Sequence, residues 1–264
     1  MKKLVIPVIV IIMISLTFSA CKKDEIPPVP VLPPVSSFSM DFDDFQKDKS
    51  ANLLIENWLY SVTNVAFFNT IVAANMVIPT LAFKESFNHE PVYIGEQTWQ
   101  WTYDFIGLES TYTARLNGIT ESRSKIHWEM YIDKTGTNAF TDFLWFEGNT
   151  TDTTAANWTV NENPVNPSAL FNIEWKSNKE HTESTLKYIY MQEDSDNKNS
   201  IIEYGKTPDN ALDRSYNIFL TSTESNINIE WSSLNKNGRV KSPNYFKDQN
   251  WHCWNEKLID DWCE

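Results

Sequence analysis

Glycine is scarce in this chain, with seven residues in 264. Turns that need a left-handed backbone must fall to Asn, Asp, Ser and Thr, which are plentiful between the apolar stretches. Histidine is rarer still: His89, His127, His181 and His252 are scattered, and none forms an HExxH pair. A Gly-rich phosphate loop and a nucleophile elbow are both lacking, so no catalytic set and no cofactor are implied. Basic residues are outnumbered, 22 Lys and Arg against 35 Asp and Glu, for a net charge of −13. So acidic a body repels phosphate backbones and anionic headgroups, which excludes nucleic acid as a partner. Cysteine is limited to Cys21, Cys253 and Cys263.

Two short patterns look like sites and read otherwise. Asp194-Ser195-Asp196-Asn197-Lys198-Asn199 has a lysine where a calcium loop needs an oxygen ligand, and it lacks the glycine turn, so it reads as a hairpin tip. His127 and Glu129 fall on the same outward face of a strand and read as a solvated surface pair.

What the chain does have is aromatic residues, 14% of the total with eleven Trp. From Leu81 onward apolar and polar residues alternate with period two, the mark of half-buried strands. The pattern is clear at Trp99–Phe105, Tyr112–Leu116, Ile126–Ile132, Phe171–Trp175, Tyr216–Leu220 and Ile227–Trp231, and weaker at Phe140–Glu147, Trp158–Asn161, Leu186–Met191 and Ser200–Tyr204. Connectors such as Asn117-Gly118, Lys134-Thr135-Gly136 and Asn235-Lys236-Asn237-Gly238 are short and polar, which predicts an antiparallel meander. About ten such strands, each with one aromatic face, predict a mainly β fold: a single curled antiparallel meander, barrel or half-barrel. Between 52 and 78, Leu54, Trp58, Val62, Val65, Phe68, Val72 and Met76 recur at helical spacing. One long N-terminal helix is expected there, stopped by Pro79 and packed on the sheet. Glu56 and several asparagines argue against a membrane span.

The N-terminus is organised differently. Lys2-Lys3, an apolar run from Leu4 to Ile14 and small residues before Cys21 form a secretory signal peptide over 1–20. Leu16-Thr17-Phe18-Ser19-Ala20-Cys21 resembles the lipobox of bacterial lipoproteins. That resemblance implies lipidation of Cys21 and membrane attachment through its acyl chains, several of which give lasting anchorage. Loss of 1–20 would remove Lys2, Lys3 and no acid, taking the charge from −13 to −15. Lys22-Lys23-Asp24-Glu25 resembles the export signal of Bacteroidota-type surface lipoproteins, which implies an outer-membrane address, on the cell surface or else on the periplasmic face. Residues 21–37 then read as lipidated cysteine plus a Pro-rich tether, extended polyproline II able to hold a domain roughly 30 Å from the lipid. Residues 38–264 read as a single β-rich domain.

In the oxidising compartment this address implies, Cys253 and Cys263 are expected to form a disulfide closing a small loop. Free thiols are the alternative, or a metal pair with His252, which would lack a fourth ligand nearby. The runs Gly238-Arg239-Val240-Lys241, Trp251-His252-Cys253-Trp254 and Trp262-Cys263, together with Thr141–Gly148, resemble uncharacterised Bacteroidota-type lipoproteins, which implies an address and a fold but no activity. The aromatic set Trp99, Trp101, Tyr103, Trp128, Trp175 and Trp231, with Trp145, reads either as ordinary core or as the wall of a calyx for a small hydrophobic or glycan ligand. A non-catalytic module binding such a ligand or an envelope protein is the first expectation. A structural envelope protein with a filled interior is the second, and an enzyme the third, because no acid/base constellation stands out.

Overall fold

The computed structural model describes residues 26–40, 42, 55–207 and 211–263. Fourteen strands make one sheet: β1 (Val92–Gly95), β2 (Thr98–Gly107), β3 (Ser110–Thr120), β4 (Lys125–Lys134), β5 (Phe140–Thr151), β6 (Ala155–Asn161), β7 (Ala169–Ser177), β8 (Ser184–Tyr190), β9 (Ile201–Lys206), β10 (Arg214–Leu220), β11 (Ser225–Trp231), β12 (Gly238–Lys241), β13 (His252–Trp254) and β14 (Asp260–Asp261). Each pairs antiparallel with the next, in unbroken sequence order, so the fold is the expected mainly β meander. The ten segments expected from alternation are all strands, and four short ones join them, β1 at one end and β12, β13 and β14 at the other. The sheet stays open, since β1 and β14 form its two ends and do not pair with each other.

Alternation produces the two faces directly. Tyr112, Ala114, Leu116 and Gly118 of β3 are buried while the residues between them are partly exposed, and β4 and β11 repeat the scheme. Glycine scarcity shows in the hairpins. The two-residue loops Glu96-Gln97 and Leu108-Glu109 hold positive φ at both positions (50° and 60°, 47° and 60°). Two-residue hairpins favour that geometry, and non-glycine residues pay about 1 kcal/mol or more each to adopt it. Asn117-Gly118, expected as a connector, lies inside β3 instead. A Cβ on Gly118 would sit 2.9 Å from the Trp128 ring and 3.3 Å from Pro30, so the glycine there serves close packing rather than a turn.

The single helix expected over 52–78 is two helices. Residues 52–54 lie outside the described residues; α1 runs Glu56–Asn75 and α2 runs Val77–Glu85, bent by 64° at Met76. Pro79 does not stop a helix. It occupies the first turn of α2, where a missing N–H breaks no intrahelical bond. The polar residues of α1 return to its own backbone: Ser61, Thr63, Asn64, Thr70 and Asn75 each donate to the carbonyl four residues earlier. No single helix among the described residues is long and apolar enough to cross a membrane, although the bent pair taken together passes that test. Both members pack on the sheet, α1 against β12, β13 and β14 and α2 against β2. The helical pair therefore bridges the two ends of the open sheet. Asp260 of β14 fixes the start of α1 by accepting from the backbone N–H groups of Glu56 and Asn57, a carboxylate at a helix N-terminus.

The largest departure concerns the Pro-rich run. Read as a free tether, it is an arm laid across the buried face of the sheet. Pro27, Pro30 and Pro33 are buried, at the three-residue period of a polyproline helix, while Val29 and Val31 face outward. The indole N–H of Trp99 in β2 donates to Pro27 O (3.1 Å), and Pro30 meets Gly118 in β3. Further on, Trp158 in β6 donates to Ser37 O (3.0 Å), and the Tyr188 hydroxyl in β8 donates to Phe38 O and accepts from Met40 N–H (2.8 and 3.0 Å). Phe42 stacks on Tyr216 in β10. Phe38, fully buried, packs between Phe83, Phe146 and Trp158. The domain thus begins near Pro27 rather than at residue 38.

Candidate functional site

The aromatic set belongs to the core. Trp101, Tyr103, Trp128, Trp175 and Trp231 are buried and Trp99 is half-buried. Their faces are covered by other rings and by the chain itself. Trp101 packs on Trp128, whose indole donates to Thr150 Oγ1 (2.9 Å), and Trp231 stacks on Tyr216. Tyr103 donates to Ala82 O of α2, and burial raises the pKa of its hydroxyl. Trp145 joins the cluster through Phe140 and Phe143. The surface on which a calyx ligand would lie carries the arm and the helices.

The opposite face is polar. His127 lies 3.6 Å from Glu129 and 3.9 Å from Glu147. Arg115 bridges Asp133 and Asp142. Burial works against ionisation of Asp133, but the Asp142 N–H and the Arg115 guanidinium prevail and hold its carboxyl below the usual range. Among the described residues no group of three or more His, Cys, Asp or Glu is placed to hold a metal. Asp194–Asn199 lies in the β8–β9 connection, where Lys198 pairs with Glu193.

The open cavity that stands out lies elsewhere, at the C-terminal end of the sheet. A cleft of about 750 Å³ is lined by Asn235 and Asn237 from the β11–β12 turn, Arg239 of β12, the β13–β14 turn, and Trp262. Its scaffold is firm. Cys253 and Cys263 form the expected disulfide, with Cα atoms 5.2 Å apart. Asn57 of α1 donates to Cys253 O, and Asn255 Oδ1 accepts from the N–H groups of Lys257 and Ile259 to fix the turn. Gly238 is required beneath it, because a Cβ there would meet the Trp254 ring at 2.3 Å. Over this frame Arg239 pairs with Glu230 and lies 4.5 Å above the Trp251 ring, while Trp262 stands 94% exposed. An exposed indole beside amides and carboxylates offers an apolar plane with planar hydrogen-bonding groups around it, a surface suited to a polar ring. The sequence pointed to the tryptophan and cysteine content of this region but not to a cleft, because Asn235, Arg239 and Trp262 meet only through strand pairing.

Joining Ser at both cysteines should lower stability by about 2–3 kcal/mol, from the loop entropy restored to the unfolded chain. Chemical denaturation of the double Cys253→Ser, Cys263→Ser variant measures it; an unchanged midpoint would mean the bond holds only the cleft rim. No family model matches this chain, and comparison with curated proteins and with solved structures finds no match either.

Proposed function

We propose that the protein is a lipid-anchored envelope lipoprotein of the bacterial outer membrane whose interior is filled and which acts without catalysis, through its surfaces. The observation that carries this is the arm. A sheet whose aromatic face is occupied from β2 to β10 by its own residues 27–40 and 42 has that face committed to packing, so an envelope protein or a surface-bound molecule fits better than an enclosed ligand. Attachment through acylated Cys21, which lies outside the described residues, is supported by the signal pattern of 1–21. Cys21→Ala should release the protein from the membrane fraction; continued flotation with lipid would remove the anchor.

A second reading is favoured by the C-terminal cleft: a glycan bound on Trp262. Titration with a panel of neutral hexasaccharides, read by indole fluorescence, should show a saturable change that Trp262→Ala abolishes. Silence across the panel, or an unchanged response in the variant, leaves the filled scaffold as the better account.

A further inference from the structure

We infer that the β1 edge of the sheet faces the bilayer and that its exposed apolar side chains rest among the lipid headgroups. The inference rests on the acylation of Cys21 proposed above and adds an orientation to it. The arm reaches β2 at Pro27, β3 at Pro30, β6 at Ser37 and β10 at Phe42. Followed backward, the chain leaves the sheet over its β1–β2 margin. Four residues, Lys22 to Glu25, separate Cys21 from Ile26, and the five Cα–Cα steps, at about 3.3–3.6 Å each, reach no more than roughly 18 Å however they are arranged. With the proline run folded onto the sheet, the 30 Å stand-off of a free tether is lost. The margin from which the chain emerges must lie close to the lipid surface, within reach of a headgroup layer some 5–8 Å deep.

The chemistry of that margin agrees. β1 is an edge strand paired only with β2, and Val92 and Ile94 are 66% and 54% exposed, with Ile26 at 59%. An apolar edge with an open backbone row invites pairing or aggregation when left in water, whereas a headgroup layer supplies both hydrogen-bonding groups and apolar depth. Tyr93 and Trp99, half-buried and in ring contact across β1 and β2, are the amphipathic side chains that interfaces favour. Exposed Glu90 and Glu96 flank the strand, so the surface suits zwitterionic rather than anionic lipid.

The test uses the full acylated chain in phosphatidylcholine vesicles containing a lipid with a nitroxide near the headgroup. A bimane dye is attached through Ile94→Cys, or through Glu174→Cys, an exposed position on the outward face of central β7, as the distant control. The Ile94 dye should lose most of its emission to the nitroxide while the Glu174 dye keeps its own. An insert of about twenty Gly and Ser residues between Glu25 and Ile26 should remove the difference by restoring reach. Equal emission at both positions, with the protein still floating on the vesicles, overturns the orientation and leaves the anchor standing. A dimer in detergent that Ile94→Lys dissolves would also overturn it, by assigning the edge to a second copy. Protein that never floats removes the acylation reading, and the orientation with it.

Discussion

A chain lacking residues 1–42 is expected to lose cooperative folding. Phe38, Met40 and Phe42 are buried in the centre of the core. Burying side chains of this size contributes about 1.5–3 kcal/mol each, so their loss removes about 5–9 kcal/mol. Two buried donors are also stranded. The Tyr188 hydroxyl loses Phe38 O and Met40 N–H, and the Trp158 indole loses Ser37 O. Each unsatisfied buried group costs a further ~1–3 kcal/mol. Domains are held by only about 5–15 kcal/mol in total, so the deletion takes most or all of the stability. Near-ultraviolet circular dichroism should collapse while far-ultraviolet strand signal partly survives, and thermal unfolding should become broad. A shortened chain that melts sharply within a few degrees of the full protein would show that the arm lies on a core already complete without it.

This dependence also explains what could be read in the sequence and what could not. The ten longer strands were legible because each runs at least four residues with one apolar face, as in Ile126, Trp128, Met130 and Ile132. β1 escaped because Val92, Tyr93 and Ile94 are consecutive apolar residues without alternation, and β13 and β14, at three and two residues, are too short to show a period. The helix break at Met76 was hidden because helical spacing continues through it, and only the contacts of α1 with β12–β14 and of α2 with β2 demand a bend. Pro27, Pro30 and Pro33 carried a period of three in plain view. A polyproline helix has that period whether it is solvated or docked, and the groove that receives it draws on Trp99 of β2 and Gly118 of β3, which meet only after the strands pair. The cleft was concealed for the same kind of reason, since Arg239 and Trp262 are neighbours only after β12, β13 and β14 have paired.

Trp128→Ala separates core from ligand wall most sharply. The side chain is fully buried, packs on Trp101, lies against the position of Gly118 and donates to Thr150. Truncation removes its burial and opens a cavity beneath the arm that neighbours fill only in part, a loss of about 3–5 kcal/mol. It also leaves the buried Thr150 hydroxyl without that donor. Trp262→Ala is the counterpart: a side chain 94% exposed should change stability by less than about 0.5 kcal/mol. Urea unfolding of the two variants should therefore move the midpoint strongly for one tryptophan and hardly at all for the other. If Trp128→Ala were near neutral, the ring would line open space and the calyx would return as the better description. If Trp262→Ala were costly, the cleft rim would be part of the fold rather than a surface held ready by it. The expected pair of results assigns buried Trp128 to the stability of the sheet and leaves exposed Trp262, beside Cys263, outside the folding core.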